Sequence, residues 1–242
     1  MKLSEKEKKG NREAFAKMSL GEKISYLFTY YKFPFFTGVI AVLFLIVTGV
    51  HELTKKEQVF YLACMNTAFG DTLNSELTDG FLKYLELDPK KTEVIEYRDL
   101  YISEDASAEN HEYAYASKMK IIGAISARKM DVVLMNREAW EEMSQSGFLK
   151  DLTTLDPELV KEIEPYAETN EVIIDDNAVE YRLNEAEEYV YTSEQVLNGI
   201  RVNSFPIFQK AGIEGDVYLG IIENTIHPRR SSAFVTFVME GK

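Results

Sequence analysis

Eight side chains stand where three apolar runs of this 242-residue chain give way to polar sequence. Asn66, Thr67 and Phe69 follow one run, Tyr101 and Ser103 a second, and Asn136, Arg137 and Trp140 a third. Amides, hydroxyls, a guanidinium and aromatic rings form a set that can grip a small molecule without transforming it. If the runs are parallel strands, their carboxyl ends are where loops diverge and a ligand belongs. Trp140 is the only Trp in the chain. Its large apolar face and donor edge suit stacking on a sugar or a peptide; the competing reading packs its helix on a sheet. Arg137 could neutralise an anionic ligand, although a surface Arg is commoner.

Catalytic patterns are otherwise missing. The chain has no GxSxG elbow, Walker loop, HExxH or GxGxxG. Ser117 and Lys120 have the one-turn spacing of serine acyl-enzymes, but the companion SDN and KTG elements are absent, so a plain helix face is the simpler reading. Asp175-Asp176-Asn177 offers hard oxygen ligands for calcium without the spacing of an EF-hand, and reads as a polar turn. Glu185-Ala186-Glu187-Glu188 reads as a solvated charge run. A single Cys excludes an intrachain disulfide framework, and three scattered His argue against a His-based metal site. No enzymatic activity, metal or cofactor is expected.

The elements that would position the eight residues alternate. VFYLACMN, residues 59–66, is a near-continuous apolar run, which suits a strand covered on both faces and places Cys64 as a buried strand thiol. Leu77, Phe81, Leu82, Leu85 and Leu87 follow helical spacing up to Asp88-Pro89. Residues 92–102 alternate like a strand, and Glu104 to Asn110 is loop-like. An Ala-rich helix follows, with Tyr115, Met119, Ile122 and Ile125 on one face, then the strand DVVLMN and the helix REAWEEMSQSG. Asp156 is a helix N-cap with Pro157 at the first helical position. This order over residues 60–136 predicts a parallel sheet with crossover helices. Short strands at EVIIDD, VEYRL, EEYVYT, GIRVN and DVYLGII and a closing helix over residues 231–240 complete the chain.

Charge is unevenly spread. Residues 1–32 hold eight basic and four acidic side chains, so of the net −13 the remainder carries −17. That acidic balance, with no basic stripe, disfavours nucleic acid as a partner. The break coincides with FPFFTGVIAVLFLIVTGV, residues 33–50, which carries no charge. Eighteen helical residues span roughly 27 Å, close to a ~30 Å hydrocarbon core. The expectation is an uncleaved signal anchor in the lipid bilayer, basic flank inside and the rest outside. Ser19 and Glu22 have capping-box spacing, so a short helix starts there, and rings from Tyr26 to Phe36 crowd the approach. The expected division is 1–32 cytoplasmic, 33–50 transmembrane, 51–58 linker and 59–242 extracytoplasmic.

Ser117 to Leu155, SKMKIIGAISARKMDVVLMNREAWEEMSQSGFLKDLTTL, runs from an amphipathic helix into a "DV" strand, a helix with an aromatic, then Gly, an apolar residue and Asp-Leu. It resembles the central part of the extracytoplasmic solute-binding proteins of bacterial import transporters, the type II periplasmic-binding-protein-like family. Asn198 to Asn203, Tyr218 to Ile222 and Ala233 to Phe237 are similar to that family's return strand and C-terminal helix. The likeness covers residues 58–160 and, more loosely, 196–240. It implies an α/β domain with a largely parallel sheet flanked by helices, and a reduced second lobe in place of the family's full one. In function it implies a cell-membrane protein that binds a small ligand or works beside a transporter. The alternative is a non-catalytic scaffold docking to a transporter or envelope complex.

Overall fold

The computed structural model describes residues 15–16, 18–23, 25, 32–103, 111–174, 182–183, 189–190 and 192–241. The rings from Tyr26 to Tyr31, the loop at 104–110, Asp175-Asp176-Asn177 and the Glu185 to Glu188 run lie outside them. The chain divides into two units, Met1–Lys55 and Lys56–Lys242.

In the first unit the expected capping box is present. The Ser19 N–H donates to Glu22 Oε2 at 2.8 Å, and the Glu22 N–H donates back to Ser19 Oγ at 3.4 Å. The Ser19 N–H, with the Ser19 hydroxyl second, holds the Glu22 carboxyl below its ordinary range. Helix α1 spans Lys32–Thr54. The large side chains described from Phe36 to Val47 are all exposed. Among the described residues no helix is long and apolar enough to cross a membrane. This corrects the expected transmembrane signal anchor and the single-pass placement in the cell membrane with the N-terminus cytoplasmic and the rest extracytoplasmic.

The second unit is built on one six-stranded sheet. Its strands are β1 (Glu57–Met65), β2 (Thr92–Leu100), β3 (Val132–Met135), β4 (Ala167–Ile173), β7 (Ser193–Arg201) and β8 (Tyr218–Ile221). A separate two-stranded pair joins β5 (Arg182–Leu183) to β6 (Tyr189–Val190). The order across the main sheet is β2-β1-β3-β8-β7-β4. Only β1 with β2 and β1 with β3 pair in parallel; β3 with β8, β8 with β7 and β7 with β4 are antiparallel. The expected largely parallel sheet is therefore corrected. The cause lies where β7 ends. Val202 N–H bonds to Val217 O at 3.0 Å, so the chain re-enters as β8 at the end where β7 leaves. Nor is there a reduced second lobe among the described residues, because the later strands extend the first sheet.

Helices cover both faces. On one side lie α2 (Asp71–Ser75), a π-helical turn at Glu76–Gly80, α3 (Phe81–Tyr84), α6 (Pro157–Ile163), α7 (Pro206–Ala211) and α8 (Pro228–Glu240). On the other lie α4 (His111–Ser126) and α5 (Arg137–Gln145). Strand β3 shows why these strands read as unbroken apolar runs. Val132 and Leu134 enter the first core, Val133 and Met135 the second, and all four are fully buried. The first core is centred on Phe60, Phe81, Phe234 and Phe237, whose rings interlock at 5.0–6.0 Å. Cys64 is buried in β1 as expected; burial, then the Glu96 carboxylate, push its thiol up. The buried face of α4 carries Ser117, Ile121, Ala124 and Ile125, whereas Tyr115 and Met119 stand out in solvent. The Ala-rich helix is apolar on more than one side, so its spacing alone did not choose a face.

One polar residue ties the lower corner of the sheet. Asp131, directly before β3, is fully buried. Its carboxylate accepts from the Tyr61 N–H at 2.9 Å and from the Thr225 hydroxyl, and lies 3.0 Å from His227 Nδ1. These contacts join β1, β3 and the turn leading into α8 through a single side chain.

Candidate functional site

The chain leaves β1 toward α2 on one face of the sheet and leaves the adjacent β3 toward α5 on the other. Neighbouring parallel strands whose connections part to opposite faces leave a crevice between their carboxyl ends. A cavity of about 880 Å³ lies there. One wall is the loop Asn66 to Leu73 and a second is the start of α5, from Asn136 to Glu141. The third is the turn from Ala211 to Val217 that leads into β8. Antiparallel pairing brings that turn to the site, because Met135 at the end of β3 faces Tyr218 at the start of β8.

Each wall is fixed by its own sequence. Asn66 ends β1 in a left-handed conformation, φ 51°, which Asn tolerates better than most residues. Its side chain grips Ile102 from both sides: Nδ2 donates to Ile102 O at 2.6 Å and Ile102 N–H donates to Oδ1 at 2.9 Å. The Thr67 hydroxyl donates to Leu134 O at 3.5 Å, and Phe69 meets Phe208 edge-on at 6.3 Å. Asn136 caps α5 by accepting the Ala139 N–H at 2.9 Å. The third wall turns through Gly212 and Gly215, at φ 64° and 80°. Asn203 fastens it: Nδ2 donates to Gly215 O at 2.7 Å, and Val217 N–H donates to Oδ1 at 2.9 Å.

Arg137 is the only cation in the lining. Nη2 donates to Tyr218 Oη at 2.6 Å and lies 3.6 Å from Glu168, while Nη1 lies 3.9 Å from Glu141. The guanidinium sits 5.3 Å from the Tyr218 ring centre. Glu168 also pairs with Arg201 at 3.4 Å. Burial, with the Glu168 carboxylate second, pushes the Tyr218 phenol up, so it serves as a neutral donor and acceptor. Four carboxylates line the cavity against this one guanidinium: Glu138 and Glu141 on α5, Glu214 and Asp216 on the turn.

Five of the eight expected residues, Asn66, Thr67, Phe69, Asn136 and Arg137, line the cavity together. Tyr101, Ser103 and Trp140 do not. Tyr101 and Ser103 follow β2, the edge strand beyond β1, where the Tyr101 ring packs 6.2 Å from Tyr113. Trp140 lies one turn into α5 and faces the sheet, 1% exposed. Its ring stacks on Tyr218 at 4.3 Å, and its Nε1–H donates to Asn198 Oδ1 at 3.0 Å. Asn198 Nδ2 donates to Ser144 Oγ at 2.7 Å, and Ser144 donates to Glu171 O at 2.8 Å. The indole is thus a structural anchor, and the packing alternative is the one observed. The third wall was missed by looking only past the carboxyl ends of strands, and the two glycines of AGIEGD were its available signal; Glu138 and Glu141, on either side of Trp140, were passed over in the second. Among the described residues no group of three or more His, Cys, Asp or Glu could hold a metal ion. Comparison with protein-family models, curated proteins and solved structures finds no match for this chain, so its likeness to solute-binding proteins rests on the residues quoted above and transport has no support.

Proposed function

We propose that residues 56–242 form a non-catalytic domain that holds a small molecule in the cleft between β1 and β3. The observation that carries this reading is the position of the cavity: it opens at the carboxyl ends of β1 and β3, parallel neighbours whose connections leave toward opposite faces. Its size is that of a pocket for a drug-sized ligand. Its floor includes Phe69, Leu73, Ile213 and Val217, so an apolar body has surface to cover. The polar groups beside it are spent on the fold, Asn66 on Ile102, Asn136 on α5 and Arg137 on Tyr218, which suits holding rather than reacting.

Gly70 gives a way to block the cleft without disturbing its frame. It lines the cavity at φ −67° and ψ 158°, a backbone open to any residue, and a Cβ there meets nothing within 4 Å. Gly70→Phe is expected to melt within about 2 °C of the wild type, as an unburdened surface change does. In a thermal-shift screen of the full chain against small organic fragments, those that stabilise the wild type should lose at least about tenfold in affinity for the variant. Equal responses from the two proteins would count against the cleft.

A second reading, an interaction protein without a ligand, is favoured by Tyr113, Tyr115 and Met119, which are 50%, 61% and 46% exposed along one stretch of α4. Loss of binding to a protein partner on Tyr115→Ser and Met119→Ser, with fragment binding absent, is the pattern that would prefer it.

A further inference from the structure

The cleft reading leaves open what kind of small molecule enters, and the charge on its walls narrows that choice. This inference rests on the cleft being a binding site. Glu138 and Glu141 come from α5 and Glu214 and Asp216 from the turn before β8, so carboxylates reach the cavity from two separate walls. The one opposing charge, Arg137, is partly engaged: its guanidinium, 55% exposed, is shared between Tyr218 Oη, Glu168 and Glu141 and lies 5.3 Å from the Tyr218 ring centre. A carboxylate or phosphate ligand would compete with those carboxylates for Arg137 and meet the like charges of Glu138, Glu141, Glu214 and Asp216. Asn203 holds the turn on either side of Asp216, at Gly215 O and Val217 N–H, so that charge is carried on a fixed stretch of wall next to Glu214. A concave site lined by one sign of charge concentrates ligands of the other sign. Between the acidic walls the apolar side chains of Phe69, Leu73, Ile213 and Val217 remain for the rest of the molecule.

We infer that the cleft selects small organic cations: molecules with a protonated amine and an apolar body. The amine sits among the carboxylates of α5 and the β8 turn, and the body lies over Phe69 and Val217. The anionic ligand that Arg137 suggested in the sequence is disfavoured by the same geometry.

The test is a titration of the full chain, by calorimetry or ligand-observed NMR, with three probes that share one aromatic body. These are 2-phenylethylamine, 2-phenylethanol and 3-phenylpropionate. The amine is expected to bind at least about tenfold more tightly than the alcohol, the carboxylate weakest, and added salt should narrow the gap. Glu141→Gln and Asp216→Asn, one on each acidic wall, should each reduce the preference for the amine by about threefold. Glu223→Gln removes an exposed carboxylate that pairs with Lys150 outside the cleft and should leave the preference unchanged. An alcohol or carboxylate bound as tightly as the amine, and still lost in Gly70→Phe, overturns the charge preference while the cleft reading stands. Absence of binding by all three at millimolar concentration overturns both.

Discussion

Gly199→Ala should cost the folded state about 3 kcal/mol or more, near the upper end of what one added methyl does to a packed core. The new Cβ would stand 2.5 Å from Trp140 Cε2 and 2.6 Å from Cζ2 and Nε1. The indole cannot retreat, because Tyr218 stacks on it at 4.3 Å and its N–H is held by Asn198. A bulge explains how this pocket arises. Opposite β7, Glu168 pairs with Gly199 and Thr169 with Leu197, which leaves Asn198 as the extra residue. The irregularity brings Asn198 and Gly199 to the same face of the sheet, one to bind the indole and the other to make room for it. Trp140 is the only Trp, so its fluorescence reads the effect directly. A red shift of emission together with a midpoint lowered by roughly 6–12 °C is expected. Gly123→Ala is the control: it lies in α4 with nothing within 4 Å of the added carbon, and should be neutral or stabilise by up to about 1 kcal/mol.

Asp131→Ala should be at least as damaging, about 3–5 kcal/mol, because it deletes the shared acceptor of a buried cluster. The Tyr61 N–H would lose its bond to the carboxylate inside the protein, and His227 and Thr225 would lose the group that seats the turn before α8. The loss should spread to the first core, since α8 contributes Phe234 and Phe237 to it. Urea unfolding with Asp131→Asn as the milder companion checks this. Asn retains an acceptor for Tyr61, so it should recover a sizeable part of the lost stability. If alanine and asparagine both unfold at the wild-type midpoint, the corner does not carry the load assigned to it.

Much of the site was legible because it follows from strand order. The apolar runs at 59–65 and 132–135 are strands covered on both faces, and the residues that leave their carboxyl ends meet across one crevice. Asn136 and Asp156 sit as helix caps for the ordinary reason that their short side chains accept N–H bonds. Tyr101 and Ser103 lie away from the crevice because spatial order is not sequence order. β2 lies outside β1, so its end opens on the edge of the sheet and not on the crevice. Trp140 lies away from the crevice because successive helical residues turn by about 100°: Arg137 and Glu141, one turn apart, reach the crevice, while Trp140, one residue before Glu141, faces the sheet. The direction of β8 was not legible either. Four apolar residues read the same in both directions, and it is the closure by Val202, Asn203 and Val217 that makes the strand antiparallel and supplies the third wall.

The central claim is that the crevice between β1 and β3 is where this protein holds a small molecule. The most direct measurement is to crystallise the protein, soak the crystals with a library of small fragments and see where density collects. The account predicts fragments seated over Phe69 and Val217 and bounded by Arg137, with amine-bearing ones over-represented. Fragments that gather elsewhere on the sheet or along α4 while the crevice holds none, in crystals where it is open to solvent, would contradict it.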